Sequence, residues 1–475
     1  MAHQFLHSGV RIMLRRKSKA SGFESPLQPI NAFRNSRLGR RFSGSQVVQA
    51  WSKEIVLTFW FFNLLIGEWF AFHLAVGSCS WPWTVQGHQV HLAIFSDPQL
   101  TDKYSYSFTQ NHPLLSKVVE YYSDVYMRKS FQLFQYYHGR ATDAVIFLGD
   151  LFDSAKYLSD EEFLQELQRW NWIFGRTREL QAPFINVSGN HDVGYEIGSE
   201  KTSSLASRFS QYFGPLNQIF HSGAFQLVVL SSTAACKNLT NTSPQLIGET
   251  MLFLQQLSQT KGQNPRILFS HIPLWRPPSS HCGLLRRTSS SLHPDRTGFS
   301  YRTTLPAQAT NEILSSISPI YVFSGDDHDQ CTVQHENIPE TTVGTFSWLQ
   351  GNIQPSFALV TAISPFCSNS SLQPNSGCAP EVLVHICFLP RQIIWYVWYG
   401  LSGVASLLFL VLVAILRVKS RKSAVDADDL ESAGNSSTGR RSLHILHRVL
   451  SDVCYILSLG FLLYCVLQVK FVIGV

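Results

Sequence analysis

The chain has 475 residues, of which 45% are hydrophobic, 13% aromatic and only 15% charged. Soluble domains usually carry about 25% charged residues, so this composition excludes disorder, coiled coil and collagen and argues against a wholly soluble cytosolic protein. The net charge of +6 is concentrated at one end, because residues 1–53 hold ten Lys and Arg and one acid, leaving 28 basic against 31 acidic residues elsewhere. No basic face remains for nucleic acid, and that class of partner is excluded.

Residues 1–53 are predicted to form a basic, disordered cytosolic tail, although an Arg- and Ser-rich opening with few acids also fits a mitochondrial transit peptide. The next segment, residues 55–76, is apolar and long enough to span a bilayer. It contains Glu68, which costs about 2.5–3.5 kcal/mol on insertion scales near a span centre, but its many Phe, Trp and Leu can offset this cost. A buried core helix is the alternative interpretation.

Two more membrane spans are predicted near the end of the chain, at residues 392–416 and 453–469. The loop between them, 417–445, is rich in Lys and Arg, as is the tail before the first span. Basic loops stay on the cytosolic side, so the large middle region is expected in a lumen or outside the cell. Glycosylation sequons at Asn238, Asn241 and Asn369 agree with this orientation, as does a predicted disulfide between Cys367 and Cys378 within a linker at 366–391.

Within the middle region, residues 90–365, short apolar runs alternate with helix-like stretches, which is typical of an α/β fold. The predicted strands cover 90–96, 144–148, 184–187, 225–230, 266–270 and 320–324. Helices are predicted over 160–180 and 249–260, the first capped by Ser159 with Glu162 completing a capping box.

Polar side chains follow five of these strands at the point where each strand ends. They are Asp97 and Gln99, Asp150 and Asp153, Asn190 with His191 and Asp192, His271, and Asp326 with His328. Ligands bind at this rim of an open α/β sheet, and carboxylate, amide and imidazole donors suit divalent metals such as Mn, Fe or Zn. Two such metals about 3.5–4 Å apart can clamp an in-line displacement at phosphorus.

This order of motifs resembles the calcineurin-like metallophosphoesterases. The resemblance implies a sandwich of two central mixed β-sheets flanked by helices. It also implies that Asp97 and His328 bind one metal, that Asp150 bridges both metals, and that Asn190 and His271 bind the second. His191 would then be the general acid, with Asp153 or Asp192 orienting it.

Two positions depart from that family's pattern, since Gln99 and Asp326 stand where it has histidines. We expect Asp326 to ligate the second metal, and both changes favour Mn over Zn. Gln99 and Asp192 are expected either to touch a metal or to support its ligands.

The motifs around Asp97 and Asp326, with Cys282 and Cys331, are similar to the fungal branch of the phosphodiesterases that trim ethanolamine phosphate from glycosylphosphatidylinositol (GPI) glycans. The resemblance implies two divalent ions, GPI-anchored proteins as substrates and an endoplasmic reticulum or early Golgi membrane. Candidate headgroup contacts are His281, His293, Asp295 and Asp327, and the first three are equally read as solvated loop residues. Two alternatives remain open: another phosphodiester or phosphomonoester as substrate (lipid headgroup, nucleotide or phosphoprotein), and a non-catalytic scaffold.

Overall fold

The computed structural model describes residues 51–83, 87–236, 241–262, 264–287, 297–298, 301–365, 379–428 and 438–473. Two mixed sheets form its centre. The first has the strand order β13-β12-β1-β2-β3 and the second the order β10-β11-β9-β6-β5-β4. Strand bounds in the first sheet are β1 His88–Phe95, β2 Ala144–Phe147, β3 Phe184–Asn186, β12 Ser356–Ser364 and β13 Glu381–Phe388. Those in the second are β4 Gln218–Ser222, β5 Phe225–Leu230, β6 Arg266–Ser270, β9 Tyr321–Ser324, β10 Cys331–His335 and β11 Ile338–Thr342. A separate small hairpin pairs β7 (Thr297–Gly298) with β8 (Tyr301–Arg302).

The two sheets share an aliphatic and aromatic core, in which Ile94 and Ile146 from the first sheet pack with Ile267 and Phe269 from the second. Their central strands are buried on both faces, and for this reason their sequences are continuous apolar runs. The predicted sandwich of two mixed sheets flanked by helices is confirmed, and strands β5 and β6 have the predicted bounds.

Helices flank the two sheets, and others form three apolar stretches near the two ends of the described chain. Their bounds are α1 Ser52–Leu64, α2 Ala71–Gly77, α3 Ser107–Gln110, α4 Pro113–His138, α5 Asp160–Ile173, α6 Asn190–Val193, α7 Ser199–Phe213, α8 Pro244–Gln259, α9 Ala307–Ile317, α10 Gln392–Asp428 and α11 Thr438–Ile473, with a π-helical turn at Leu65–Phe70. The capping box of Ser159 and Glu162 is present at the start of α5. This helix ends at Ile173 rather than near 180, because Gly175 follows and glycine is a poor helix former.

Three helical stretches are long and apolar enough to cross a membrane, judged by length and composition: Ser52–Gly77, Gln392–Lys419 and Val449–Gln468. They lie against one another and against α4. The Trp60 indole donates to the Ser406 hydroxyl at 3.1 Å, which joins the first stretch to the second. The Lys129 ammonium of α4 donates to the Glu68 carboxylate at 2.7 Å.

Two disulfides stabilise the middle region, and neither pairing was predicted from the sequence. Cys79, just after the first membrane stretch, is bonded to Cys387 at the end of β13, 308 residues later. Cys282 is bonded to Cys331 at the start of β10. Strand β13 lies within the segment expected to be a linker, so the first sheet extends further than the sequence indicated. The predicted Cys367–Cys378 pair lies outside the described residues.

Candidate metal centre

The five strand ends meet at one edge of the sandwich because the strands that carry them are aligned in register. Ile94 of β1 pairs with Ile146 of β2, which pairs with Ile185 of β3, and all three strands run parallel. The loops after them adopt unusual backbone conformations. Of eight non-glycine residues with positive φ in the described parts of the chain, five belong to these loops: Asp97, Gln99, Asp150, Asp326 and His328. Strained backbone conformations persist only where the surrounding structure holds them in place, and they concentrate at functional sites.

His271 shows most directly that this centre fits a cation. Its Nδ1 lies 2.7 Å from the carbonyl oxygen of Leu148, so Nδ1 carries the proton in the neutral ring and Nε2 presents a lone pair. Nε2 faces three oxygens, from Asn190 at 3.0 Å, Asp150 at 3.3 Å and Asp326 at 3.4 Å. In the neutral ring Nε2 cannot donate to any of them, so these contacts need a positive charge, either a cation in the centre or a proton on the ring. Burial disfavours that proton, but the Asp150 carboxylate raises the pKa of His271 well above its ordinary value. Four electron-pair donors that converge on one point are the surroundings of a metal ion.

Asp97 and His328 form the neighbouring part of the centre. His328 Nε2 lies 3.7 Å from the Asp97 carboxylate. Its Nδ1 lies 3.0 Å from the Gln350 carbonyl oxygen, which leaves Nε2 free to face the centre. Ligand atoms of Asp97, Asp150 and His271 all lie within 4.8 Å of one another. The structure therefore brings together every residue predicted to bind metal.

The two positions that depart from the family pattern also point into the centre. Gln99 donates its side-chain N–H to the Asp150 carboxylate at 2.9 Å. The remaining oxygen of Gln99 and one oxygen of Asp326 are buried without a hydrogen-bond partner in the described structure. A buried oxygen without a partner costs about 1–3 kcal/mol, and a cation in the centre would remove that cost.

His191 lies at the solvent side of the centre. Its side chain is 28% exposed, whereas that of Asp150 is 1% exposed. Its Nδ1 is held by the carbonyl oxygen of Asp153 and lies 3.3 Å from the Asp153 carboxylate. Nε2 lies 3.9 Å from Asp150 and faces the centre. The carboxylate of Asp192 instead accepts backbone N–H groups of Leu151 and Gly189, one on each oxygen and both at 2.9 Å, so it joins two loops beside the centre.

Burial and neighbouring charge change the acidity of these groups. Burial raises the pKa of Asp97 to about 6, and burial together with the charge of Asp150 raises the pKa of Asp192 to about 7. Burial also acts to raise the pKa of Asp150, but His271 and His191 outweigh it and hold that pKa below its ordinary value. Burial disfavours the charged form of His191, yet the Asp150 carboxylate raises the pKa of that ring to about 9. Carboxylates this crowded and buried require compensating positive charge.

Sequence reasoning missed the support of the last loop. Asp327, between Asp326 and His328, accepts two hydrogen bonds from Arg286 at 2.7 and 2.9 Å and one from Arg276 at 2.6 Å. Asp327 is thus held by two arginines within the protein, and His281 lies exposed on the neighbouring loop. His293 and Asp295 lie outside the described residues. No spacing rule links Arg276 or Arg286 to Asp327, because only the tertiary fold brings them together.

Comparison with known proteins finds a family profile, sequences and solved structures that are similar to this chain. The sequence profile of the calcineurin-like phosphoesterases matches residues 91–330. Cell division control protein 1 of Saccharomyces cerevisiae is 31% identical over 326 residues, covering 65% of this chain but 62% of the yeast protein, less than two thirds of its length. Metallophosphoesterase 1 of Pongo abelii is 23% identical over 354 residues, covering 69% of this chain and 81% of that protein. Among solved structures, GAP50 of Plasmodium, an inner membrane complex anchor, is 13% identical with a TM-score of 0.35, covering 64% of this chain and 90% of GAP50.

Proposed function

The chain belongs to the calcineurin-like phosphoesterase family, whose members are metal-dependent phosphoester hydrolases. We propose that it is a membrane-anchored luminal phosphodiesterase that removes ethanolamine phosphate from a mannose of the GPI-anchor glycan. Its substrates would be GPI-anchored proteins, and this trimming would aid their maturation and export. The resemblance of its motifs to the fungal GPI-trimming branch supports the choice of substrate. The yeast relative, 31% identical, comes from a fungus, which agrees with the fungal character of these motifs.

The observation that carries the catalytic part is the convergence of lone-pair donors on His271 Nε2. Asp97 and His328 would hold one divalent ion, Asn190, His271 and Asp326 a second, and Asp150 both. We propose Mn as the physiological metal, because oxygen donors outnumber imidazoles in this set. When bound, two such ions polarise the phosphoryl oxygens and activate water for in-line attack.

His191 would protonate the leaving oxygen of the sugar. Its Nδ1 is held by Asp153, so the ring is fixed with Nε2 directed toward the centre. Its exposed edge is open to a substrate arriving from solvent. Acid catalysis by a positioned imidazole typically contributes about 10²–10⁴-fold.

The proposed location is the lumen of the endoplasmic reticulum or early Golgi, with the three apolar helices in the membrane. The Lys and Arg bias of residues 1–53 and 417–445 supports this orientation. Two disulfides in the middle region also favour an oxidising compartment, because such bonds are rare in the cytosol.

Mass spectrometry of GPI glycans tests the substrate directly. Cells lacking this chain should accumulate glycans that retain one additional ethanolamine phosphate, and expression of the wild-type chain, but not of His191→Ala, should remove it. Unchanged glycans, with turnover of bis(4-nitrophenyl) phosphate by the purified protein, would indicate another phosphoester as substrate. Unchanged glycans without turnover would favour the scaffold.

A further inference from the structure

A cavity of about 690 Å³ lies between the three membrane stretches and the end of the soluble domain. All three stretches line it, as do Val118 and Tyr122 of α4 and Trp348 of the loop before β12. Its walls are mainly aliphatic and aromatic. This volume is within the range of about 300–1,000 Å³ that is typical of small-molecule sites.

We propose that this cavity binds an acyl chain of a bilayer glycerolipid, and that the bound chain supports the loop that carries part of the metal centre. The proposal rests on the membrane anchoring proposed above. It concerns a lipid of the surrounding bilayer and not the substrate.

The Glu68 carboxylate on the cavity wall does not need a polar ligand. The Glu68 carboxylate accepts hydrogen bonds from Lys129 at 2.7 Å, Gln468 at 3.1 Å and Tyr399 at 3.2 Å. The π-helical turn around Glu68 also presents its backbone carbonyl oxygen to the Lys129 ammonium at 3.2 Å. Because Glu68 is satisfied within the protein, the remaining wall favours an uncharged occupant. Water filling the cavity would need about two to four polar partners per molecule, and besides Glu68 and Ser406 the lining offers only the polar tips of tyrosine and tryptophan side chains.

The cavity is continuous with the outer surface of the membrane stretches. Leu407, Leu457 and Phe461 line it, yet they are 45%, 66% and 70% exposed. Side chains that are both lining and exposed mark an opening toward the bilayer. Acyl chains are the most abundant apolar groups there, and occupancy rises with ligand concentration.

One short loop connects the cavity to the metal centre. Trp348 packs its ring on Tyr396 at 5.6 Å between centroids, at the cavity wall. Two residues later, the Gln350 carbonyl oxygen holds His328, and three residues earlier the Thr345 hydroxyl donates to the Asp97 carbonyl oxygen at 2.8 Å. A chain in the cavity would therefore support Trp348 and, through it, two backbone contacts of the proposed metal ligands.

The helices offer matched variants for the test. Gly403 of α10 and Gly460 of α11 both line the cavity, and a Cβ built at either position meets no heavy atom within 4 Å. Gly400 has the same free space but does not line the cavity. Leucine at position 403 or 460 can thus project into the cavity and reduce its volume, with Gly400→Leu as the control. Each change also replaces glycine by a much better helix former, so folding should be retained.

The experiment uses the full chain in phosphatidylcholine nanodiscs that contain a trace of phosphatidylcholine with a photoactivatable diazirine on its acyl chain. After illumination without substrate, we expect labelling at Trp348 in the wild type and in Gly400→Leu. Gly403→Leu and Gly460→Leu should each lower it by about tenfold, equivalent to ~1.4 kcal/mol weaker occupancy. Because no turnover is measured, this result is independent of the proposed reaction.

Three outcomes would overturn the proposal. The first is labelling at Trp348 that stays equal in the two cavity variants and the control. The second is a wild type without labelling at Trp348. The third is loss of the label on addition of hexadecyl 4-nitrophenyl phosphate, since the cavity would then hold the tail of a lipid-linked substrate. Failure of GPI-glycan trimming with the labelling pattern intact would refute only the proposed function.

Discussion

Asp150 occupies the centre of the proposed metal site and accepts hydrogen bonds from Gln99 at 2.9 Å and from the His191 backbone at 2.8 Å. We expect Asp150→Asn to abolish turnover and metal retention, because a neutral amide cannot bridge two dications. His191→Ala should lower turnover by about 10²–10⁴-fold and keep the metals. Metal analysis after dialysis, together with turnover of bis(4-nitrophenyl) phosphate, separates the two. A fully active Asp150 variant, or a His191 variant without metal, would contradict these roles.

Gln99 and Asp326 should set the metal preference. Gln99→His replaces a weak amide donor by imidazole and should tighten retention of Mn through dialysis. Asp326→His removes a hard oxygen donor and should shift retention toward Zn while lowering the rate supported by Mn. The stoichiometry and the ratio of Mn to Zn bound from an equimolar mixture test both changes. If neither quantity moves in either variant, neither side chain contacts a metal.

The residues of the site were largely predictable from the sequence, because each follows the end of a strand. The carboxyl ends of parallel strands lie at the same edge of a sheet, so these residues were expected to meet there. What the sequence could not provide was the direction of individual side chains. The spacing of Asp192 equally allows a ligand or a support, and only the fold shows its oxygens on backbone N–H groups. Arg286 is 41 residues away from Asp327, so its hydrogen bonds depend on the path of a whole loop.

Among the helices, the π-helical turn at Leu65–Phe70 has the most specific role, since it places Glu68 against Lys129 of α4 in a buried ion pair, 4% and 1% exposed. Removing one partner of a buried pair costs about 3–5 kcal/mol, whereas replacing both is often nearly neutral. Lys129→Met should therefore destabilise the full chain in detergent strongly. Glu68→Gln combined with Lys129→Met should recover most of the loss, as measured by chemical unfolding. Simple additivity of the two single changes would show that the pair does not couple the helix to the soluble domain.

Helix α4 also shows where pattern reasoning fails for an element. Its 26 residues begin with Pro113, a favourable first position, but it buries Glu120, Asp124 and Lys129 together with aromatic residues. A helix that buries charges on partners elsewhere in the fold lacks the clean apolar stripe on which prediction depends. Asp124 is paired with Arg169 of α5 at 2.8 Å, a contact that is invisible in the local sequence.

For the molecule as a whole, the proposed orientation places residues 79–387 on the luminal side. Asn241 precedes Thr242 and Ser243 as an acceptor sequon, and it lies in the described part of this region, whereas Asn238 does not. Endoglycosidase should increase the mobility of the wild type, and this shift should shrink or vanish in a variant with both Asn238→Gln and Asn241→Gln. Protease added to intact microsomes should leave the region uncut. Digestion without detergent would refute the orientation.

The bond between Cys79 and Cys387 makes the soluble domain a covalent ring of backbone and sulfur, closed 308 residues apart in sequence. A ring that loses one peptide bond is still a single molecule. One nick anywhere inside it would leave the two pieces joined and each attached to its own apolar helix. The ring would open, and the pieces could separate, only after reduction of that disulfide as well. On a gel, a nicked chain would keep its full mass until a reductant is added.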